Sequence, residues 1–519
     1  MNAPADRVHA SESALLTDYY QLTTLQAYDS EQMRGVASFE LVCSRLPVCR
    51  GFVMAAGLEP ALEWLEGLRF SGAELAWLSA SGRFKTSFVK SLSEWRFSGD
   101  VAAMREGTVV FPGEPILRVT APINQAQLVE SRLINLIHAH SLIASKAARC
   151  VLSAGHAELI EFGLRQAHGA DAAMIASRAA HLAGFSATAN VLGGMQAGLP
   201  LAGTMAHSYV LAHEAETLAF IEFGRANPDH VVLLIDTWDT EQGAYRAVAA
   251  AEELAKDGIR VRGVRIDSGD LAALSHRVRA IFDSSGMEHV RILVGGDLDE
   301  MRIAALRAQA APIDAYCVGS ALSTSADAPS LDISYRLVDY EGRGGGKHSI
   351  GKAALPGRKQ VWRCYDEHGQ LAEDLIALAD DAAPNSRTAG WRPLLEPVMQ
   401  NGFRLRPAPS MTALREHAAS ELASLGVSTR KLAGAALPPV RQSDLLTRLI
   451  ASQSPQIAHT PPIVATGRAT QVDSGSVASL APASALASRS AMARQASPAG
   501  GRSTKIRRTP AASRSRSAA

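Results

Sequence analysis

The stretch 231-VVLLIDTWDTEQG-243 begins with the apolar run 231–235 and continues at once with Asp236-Thr237-Trp238-Asp239. The same order, an apolar run and then a turn with Asp or Gly, returns three times, with apolar runs at 261–266, 290–294 and 313–318. Short runs rich in Val and Ile that alternate with helix-like segments are typical of parallel strands buried on both faces. The four units therefore predict an α/β fold built on a parallel sheet.

The turns after these runs carry the polar residues of the four units. The three later turns are Asp267-Ser268-Gly269-Asp270, Gly295-Gly296-Asp297 and Gly319-Ser320. In such arrays the loops after the strands open on one face, and that face carries the chemistry. Carboxylates gathered there can hold Mg²⁺, and Gly-rich turns let backbone N–H groups approach phosphate. The pattern predicts a phosphate-handling enzyme with a metal.

The bulk composition argues against a membrane or secreted protein. Over 519 residues the formal net charge is +1, so neither nucleic acid nor membrane is expected as the main partner. The five cysteines are scattered without a CxxC pair, as reduced thiols would be. The N-terminus lacks an apolar signal-peptide core, and no apolar run has the length of a bilayer span. We expect a soluble, cytoplasmic protein.

Apolar spacing elsewhere divides the chain into four predicted parts. Helical patterns occur at 15–28, 57–70, 124–152 and 207–223, and strand-like runs occur at 37–43, 108–121, 157–162, 334–340 and 360–365. The predicted parts are an N-terminal α+β domain at 1–122, an α/β barrel core at 123–330, a C-terminal segment returning to the β-rich domain at 331–452, and a tail at 453–519.

The predicted tail differs in composition from the rest. From about Ser454 it consists mainly of Ser, Ala, Pro, Thr and Arg, with Asp473 as its single acid. Such a segment cannot bury enough apolar area to offset the entropy of ordering, so we expect disorder. A basic tail could touch RNA or anionic surfaces. A solvated extension without a selected role is the favoured interpretation.

Eight short motifs, spread in order over roughly the first 450 residues, resemble nicotinate phosphoribosyltransferase. The motifs are Leu16-Thr17-Asp18-Tyr19-Tyr20-Gln21-Leu22, Phe39-Glu40-Leu41, Ala55-Ala56-Gly57-Leu58-Glu59, Ser145-Lys146-Ala147-Ala148-Arg149, Glu161-Phe162-Gly163-Leu164-Arg165, Gly203-Thr204-Met205-Ala206-His207-Ser208, Arg265-Ile266-Asp267-Ser268-Gly269-Asp270 and Leu355-Pro356-Gly357-Arg358-Lys359-Gln360. One such motif would be weak, but this many in one order is a strong signal.

The resemblance implies both a fold and a reaction. The fold is an irregular TIM-like α/β barrel beside a β-rich domain formed by N-terminal and returning C-terminal segments. The reaction joins nicotinate to phosphoribosyl pyrophosphate and yields nicotinate mononucleotide and pyrophosphate, in NAD biosynthesis and salvage. The family couples this to hydrolysis of ATP, a co-substrate, through a phosphohistidine, with Mg²⁺ as cofactor. It works as a homodimer with active sites at the subunit interface.

The resemblance assigns the phosphohistidine to His207, within a motif whose Thr204 and Ser208 are expected to bind substrate. His207 follows a Gly-Thr turn and is predicted to open a helix, where free N–H groups and the helix dipole favour a phosphoryl group. The alternative is an ordinary first-turn histidine beside a Ser208 N-cap. His213 and Glu214 are expected further along the same helix in structural roles.

Acidic and Gly-rich turns are assigned to the sugar and its phosphates. Asp267 and Asp236 suit the ribose hydroxyls and catalysis, Asp236, Asp239 and Asp270 suit Mg²⁺, and Arg265 suits phosphate. The alternative is that each Asp only caps the helix that follows it. Ser268, Gly269, Gly295, Gly296, Gly319 and Ser320 are the expected phosphate-binding residues, and the alternative for the glycines is plain tight turns.

For the base, the resemblance places Phe162 and Tyr20 on the two sides of the pyridine ring, with one aromatic donated by the partner subunit. Arg165 is placed to meet the nicotinate carboxylate or a phosphate. Either aromatic could instead be a core residue, and Arg165 a surface ion-pair partner. Gln166 stands where the family usually has a second arginine.

Further departures from the family pattern are Ala170 in place of a common Pro, His138-Ala139-His140 in place of Asn-Phe-Gln, and Gly295-Gly296 where Ser or Thr is more usual. These changes bear on substrate affinity more than on reaction type. Two alternatives therefore stay open. One is a phosphoribosyltransferase acting on nicotinamide or quinolinate, and the other is a non-catalytic relative that binds phosphoribosyl pyrophosphate or nucleotide.

Overall fold

The computed structural model describes residues 13–345, 355–384 and 390–453. All of these belong to one unit, Met1–His459. The predicted disordered tail lies outside the described residues, except that Gln453 ends the last helix. Among the described helices, none is long and apolar enough to cross a membrane.

The helices of the described chain are α1 Tyr19–Ser30, α2 Leu58–Gly67, α3 Gly72–Ala80, α4 Thr86–Ser91, α5 Ile123–Leu128, α6 Glu130–Ala154, α7 Ala170–Ala183, α8 Val191–Ala197, α9 His207–Leu211, α10 Glu216–Ala226, α11 Thr240–Lys256, α12 Leu271–Ser284, α13 Glu300–Ala308, α14 Ser320–Ser323, α15 Met411–Ser424 and α16 Asp444–Gln453.

The strands are β1 Val36–Arg45, β2 Val53–Met54, β3 Asp100–Ala103, β4 Val109–Val110, β5 Pro115–Pro122, β6 Glu158–Glu161, β7 Ala187–Thr188, β8 Val231–Leu234, β9 Val261–Ile266, β10 Arg291–Val294, β11 Ala315–Val318, β12 Asp332–Tyr340, β13 Arg343–Gly344, β14 Lys359–Tyr365, β15 Leu371–Leu378, β16 Trp391–Pro393, β17 Glu396–Gln400, β18 Phe403–Arg404 and β19 Val440–Gln442.

The four repeated units of the sequence form neighbouring strands of one parallel sheet, in the order β7-β6-β11-β10-β9-β8. The predicted parallel sheet is therefore confirmed. The chain after β7 reaches toward the other end of the sheet, because Leu201 forms a parallel bridge with Thr188 and Thr204 Oγ1 donates to the carbonyl of Val232 at 2.7 Å. This irregular closure agrees with the expected barrel.

Side chains of the parallel sheet alternate between two environments. In β11, Tyr316 and Val318 join the large hydrophobic core that includes helix residues such as Val278. Ala315 and Cys317 instead join a small inner cluster. This period of two is the geometry of a strand covered on both faces. The inner face of the sheet therefore carries a much smaller apolar cluster than the outer face, with Ile160 and Phe162 among its larger members.

A second, seven-stranded sheet combines strands from both ends of the chain, in the order β13-β12-β1-β5-β3-β17-β18. At its centre β1 pairs antiparallel with both β12 and β5. Its core side chains, including Leu41, Leu117 and Val119, are fully buried. The predicted β-rich domain with a returning C-terminal segment is confirmed.

The single helix predicted at 207–223 is wrong, because the chain forms α9 and α10 with a turn between them. In that turn the Nδ1 atom of His213 lies 2.8 Å from the carbonyl oxygen of Tyr209, the group that a continuing helix would pair with the amide of residue 213. The apolar residues of this segment do not share one buried face, since Val210 is buried while Leu211 and Leu218 are exposed.

Candidate active site

Two loops at the carboxyl ends of β8 and β9 are joined by Asp236. Its Oδ2 atom accepts hydrogen bonds from the backbone N–H of Asp267 at 2.9 Å and from Ser268 Oγ at 2.6 Å. Its Oδ1 atom is buried and has no hydrogen-bond partner among the described residues, and the side chain is only 1% exposed. A buried carboxylate oxygen without a donor is costly, so it fits a cationic ligand.

His207 lies beside this unpaired oxygen. Its Nε2 atom is 3.9 Å from Asp236 Oδ1, beyond hydrogen-bond distance, and its Nδ1 atom is 3.1 Å from Thr237 Oγ1. As predicted, His207 opens a helix, although α9 has only five residues. The N-cap is Ala206, so Ser208 belongs to the first turn and the Ser208 N-cap of the alternative interpretation is wrong.

Arg265 and Phe162 meet on the inner face of the parallel sheet. The Cζ atom of Arg265 lies 4.8 Å from the centre of the Phe162 ring, within the range of a cation–π contact. The Nη2 atom of Arg265 donates to Asp267 Oδ1 at 2.5 Å, while its Nε atom is buried and finds no acceptor in the part of the chain that the structure describes. Arg265 therefore retains a buried donor for a ligand that binds against Phe162.

A cavity of about 200 Å³ adjoins this pair. Its lining includes Ile160, Phe162, Thr204, Arg265 and Cys317. The lining also includes Glu158, Arg262 and Arg291 near the amino ends of β6, β9 and β10, so the cavity extends along the inner face of the sheet toward that end. Its size and its mixture of aromatic, aliphatic and cationic groups suit a small ring that carries a negative group.

The glycines at 295 and 296 are required by the approach of Asp267. A Cβ atom on Gly295 would lie 2.1 Å from Asp267 Oδ1, and one on Gly296, where φ is +85°, would lie 2.3 Å from the Asp267 carbonyl oxygen. The Ser or Thr more usual in the family would clash here. Close packing of the two loops therefore explains why glycine occupies positions 295 and 296. The phosphate-binding role of these two glycines stays a prediction.

The glycine at 319 packs against the loop that follows β6. A Cβ atom on Gly319 would lie 3.1 Å from the carbonyl oxygen of Phe162 and 3.7 Å from Gln166 Oε1. Ser320 is the first residue of α14. Gly269 has φ +85° in the turn before α12. The predicted phosphate-binding turns after β9, β10 and β11 thus lie side by side at one end of the sheet.

Asp239 and Asp270 are helix caps, as the alternative interpretation holds. Asp239 Oδ1 accepts from the backbone N–H of Gln242 at 2.8 Å, and Asp270 Oδ1 accepts from that of Ala273 at 3.1 Å. Within the described ranges no group of three or more His, Cys, Asp or Glu side chains is arranged to hold a metal. For Mg²⁺ the buried Oδ1 atom of Asp236 is the group that fits, since Mg²⁺ commonly takes one or two carboxylates plus phosphate.

Arg165 and Tyr20 lie apart from the cavity. Arg165 is exposed in the turn after β6 and has no hydrogen-bond or ion-pair partner among the residues that the structure describes. Tyr20 lies on α1 with half of its surface exposed, and burial together with the carboxylate of Glu130 raises its pKa to about 12. Within one chain the two predicted aromatic residues are thus not brought together.

Two residues with a clear place in this site were missed by the sequence analysis. Thr237 contacts His207, as described above. Glu161 is buried and supports the loop of Phe162, because its carboxylate accepts from the Gly163 N–H and from Thr188 Oγ1 at 2.5 Å. An acidic residue that ends an apolar strand was the available signal for Glu161. For Thr237 the signal was its position directly after Asp236.

Comparison with known proteins finds the same family that the sequence motifs resemble. Residues 15–138 match the model of the nicotinate phosphoribosyltransferase N-terminal domain, and residues 157–327 match that of the nicotinate phosphoribosyltransferase family. Nicotinate phosphoribosyltransferase pncB2 of Mycobacterium tuberculosis (strain H37Rv) is 44% identical over 420 residues, which covers 81% of this chain and 89% of the relative. Human nicotinate phosphoribosyltransferase is 30% identical over 528 residues, which covers 86% of this chain and 98% of the human protein.

A solved structure shares the fold. The crystal structure of human nicotinic acid phosphoribosyltransferase superposes with a TM-score of 0.75 at 28% identity, and it covers 84% of this chain and 99% of its own. The residues matched by the two family models contain both the strands of the parallel sheet and the N-terminal strands of the β-rich sheet. The chain therefore belongs to the nicotinate phosphoribosyltransferase family.

Proposed function

We propose that this protein joins nicotinate to phosphoribosyl pyrophosphate and releases nicotinate mononucleotide and pyrophosphate. The observation that carries the proposal is the buried Arg265 guanidinium, which stacks on Phe162 and keeps an unpaired Nε donor beside a small cavity. A pyridine ring that bears a carboxylate would stack on the aromatic ring and accept from the guanidinium. A hydrogen bond to a charged group contributes about 1.5–3 kcal/mol.

The sugar is proposed to bind at Asp236 and Asp267. Transfer of a ribosyl group develops positive charge on the sugar, and two carboxylates on adjoining loops would stabilise it. Arg265 already pairs with Asp267, so it holds that carboxylate in place as well as facing the base. Ser268 Oγ donates to Asp236 and thereby links the loop after β9 to the loop after β8.

Mg²⁺ is proposed as the cofactor of this step, held by Asp236 with Asp239 and Asp270 as outer neighbours. When bound, it would supply positive charge against the departing pyrophosphate. The support is the Oδ1 atom of Asp236, which is buried without a donor. The caps formed by Asp239 and Asp270 use one carboxylate oxygen each, which leaves the second oxygen of each side chain for water or metal.

His207 is proposed as the histidine that carries a phosphoryl group from ATP. Its side chain is 43% exposed, so a nucleotide can reach it, and it lies next to the loop that carries Asp236. The proposal makes ATP a co-substrate and places the protein in NAD biosynthesis. A cytoplasmic location stays a prediction from the sequence.

The protein is proposed to act as a homodimer whose partner donates Tyr20. Loops and short helices at the carboxyl ends of the parallel strands expose many large apolar side chains, a feature of association surfaces. These are Leu164, Val191, Met195, Leu201, Leu211 and Trp238. The proposal requires that a second copy cover this rim with its own α1 near Phe162.

Product formation tests the proposal. Purified protein is incubated with Mg²⁺ and phosphoribosyl pyrophosphate and is offered nicotinate, nicotinamide or quinolinate, each with and without ATP. We expect mononucleotide from nicotinate, release of ADP and a rate that rises with ATP. Turnover of another base would contradict the assigned specificity, and binding without turnover of any base would indicate a non-catalytic relative.

A further inference from the structure

The ring of His207 is held between two consecutive residues of one loop. Thr237 Oγ1 lies 3.1 Å from Nδ1, and Asp236 Oδ1 lies 3.9 Å from Nε2 on the other side of the ring. Among the described residues no other hydrogen bond reaches this imidazole. Thr237 is therefore the residue that sets the direction in which the two ring nitrogens point.

A hydroxyl suits a ring whose state changes during a reaction. The hydroxyl of Thr donates to a bare ring nitrogen and accepts from a protonated one, so the contact with His207 persists in both states. The ring is partly exposed, and the χ2 torsion of histidine has broad minima. Without Thr237 the imidazole would be free to turn away from Asp236.

The orientation of the His207 ring matters because Asp236, which faces it, also binds the loop that follows β9. Its Oδ1 atom, buried and without a donor, faces the histidine, while Oδ2 accepts from the backbone of Asp267 and from Ser268. A change of charge on the His207 ring changes the electrostatic energy of the Asp236 carboxylate beside it. Because Asp236 accepts hydrogen bonds from Asp267 and Ser268, the change also affects the loop 267–268. Contact with Thr237 therefore bears on how closely His207 Nε2 approaches Asp236 Oδ1 in the proposed sugar site.

We propose that Thr237 is a positioning residue for the ATP-coupled step. Its hydroxyl holds one nitrogen of His207 so that the other faces Asp236. The inference rests on the proposed role of His207 and deepens it. Thr237 acts through the histidine, whereas the base and the sugar are bound by other residues.

Three variants of this loop test the proposal. Thr237→Val removes the hydroxyl at nearly constant volume, Thr237→Ser keeps it, and Thr240→Val is the matched control at the first residue of α11. The quantity measured is the ratio of the rates with and without ATP. We expect Thr237→Val to lower this ratio roughly two- to twelvefold, the loss of one ordinary hydrogen bond. Thr237→Ser should restore the ratio, and Thr240→Val should leave it unchanged.

A double-mutant cycle shows whether the effect passes through the histidine. Thr237→Val should cost nothing further in a His207→Ala background, because the group it positions is gone. An equal loss in both backgrounds overturns the positioning role. So does a Thr237→Ser variant that behaves like Thr237→Val.

A readout independent of turnover separates this inference from the proposed function. The NMR chemical shifts of the His207 ring nitrogens, measured at one fixed pH, should change in Thr237→Val, and those of the other histidines should not. Unchanged His207 ring shifts overturn the inference even if ATP stimulates the enzyme. If ATP does not stimulate the wild-type protein although the ring shifts change in Thr237→Val, the proposed coupling and the positioning role both fall, and only the contact remains.

Discussion

The guanidinium of Arg265 lies over the ring of Phe162 with 4.8 Å between Cζ and the ring centre. The two residues belong to different motifs of the sequence, and the parallel sheet brings them together across β6 and β9 with β10 and β11 between them. Arg265 was expected to bind phosphate, and Arg165 to meet the nicotinate carboxylate or a phosphate. The geometry favours Arg265 for the base, because Arg265 is buried beside the cavity while Arg165 points from an exposed turn.

Arg265→Lys should raise the KM for nicotinate roughly ten- to a hundred-and-fifty-fold, the range set by loss of one charge-assisted hydrogen bond. Lysine keeps the charge but loses the planar fork that both stacks on Phe162 and reaches Asp267. Steady-state kinetics with nicotinate varied would measure this, and Arg165→Lys is the matched control. If Arg165→Lys raises the KM for nicotinate more than Arg265→Lys does, Arg165 and not Arg265 binds the carboxylate.

Asp267→Ala should remove most of the activity at any concentration of ATP. The substitution deletes the carboxylate that pairs with Arg265 and lies against Gly295, so a ten-fold or greater loss in kcat/KM is expected from a charged contact worth about 1.5–3 kcal/mol. Asp299→Ala is the comparison, because Asp299 caps α13, has no part in the proposed site, and its replacement should lower stability by about 1 kcal/mol. Near-normal turnover of Asp267→Ala would rule out its catalytic role.

His207→Ala should retain part of the ribosyl transfer and lose its stimulation by ATP. The reason is that Asp236, Arg265 and Asp267 form their contacts with one another without the histidine. Initial rates with and without ATP, together with ADP release, would report both quantities. If the variant is stimulated as strongly as the wild-type protein, His207 is not the phosphorylated residue.

The fold was predictable where a local pattern decides it. Buried parallel strands require continuous apolar runs, and the runs that contain β8, β9, β10 and β11 carry that signal by themselves. The break between α9 and α10 was not predictable, because it depends on where the ring of His213 finds a carbonyl group. Apolar spacing alone cannot report such a competing hydrogen bond.

The sequence named residues that the structure brings together around Asp236, but it could not tell which contacts each of them makes. Asp236, Asp239, Asp267 and Asp270 all precede helices, and each could be a cap by sequence. Tertiary hydrogen bonds separate them, since Asp236 binds the neighbouring loop while Asp239 and Asp270 bind their own helices. Contacts between loops that are distant along the chain leave no periodic signal in it.

Glu114→Gln should stabilise the protein at neutral pH. Burial, and the nearby carboxylate of Asp374, raise the pKa of Glu114 well above its ordinary value of 4.5, against the opposing effect of Arg363. A raised pKa in the folded state means that stability is lost as pH rises above 4.5 toward the folded pKa. Glutamine stays neutral, so its gain should be present at pH 7 and shrink as the pH falls toward 4.5.

Unfolding by urea at several pH values would measure this free energy. Glu421→Gln is the matched control in the same cluster, because Glu421 Oε2 accepts from Arg363 and from the backbone of Val109. Its replacement should destabilise the protein across the pH range. A Glu114→Gln variant that is no more stable than the wild type at pH 7 would contradict a raised pKa for Glu114.

Truncation after Ala451 should leave the kinetics and the oligomeric state unchanged. The cut removes the last two residues of α16 and the Ser, Ala and Arg-rich segment that follows, whose composition predicts no folded core. The comparison is Leu446→Ala, because Leu446 of the same helix is fully buried and its truncation should cost about 2–5 kcal/mol. A large loss of activity or of dimer on truncation, with unfolding free energy preserved, would give the segment a role in function.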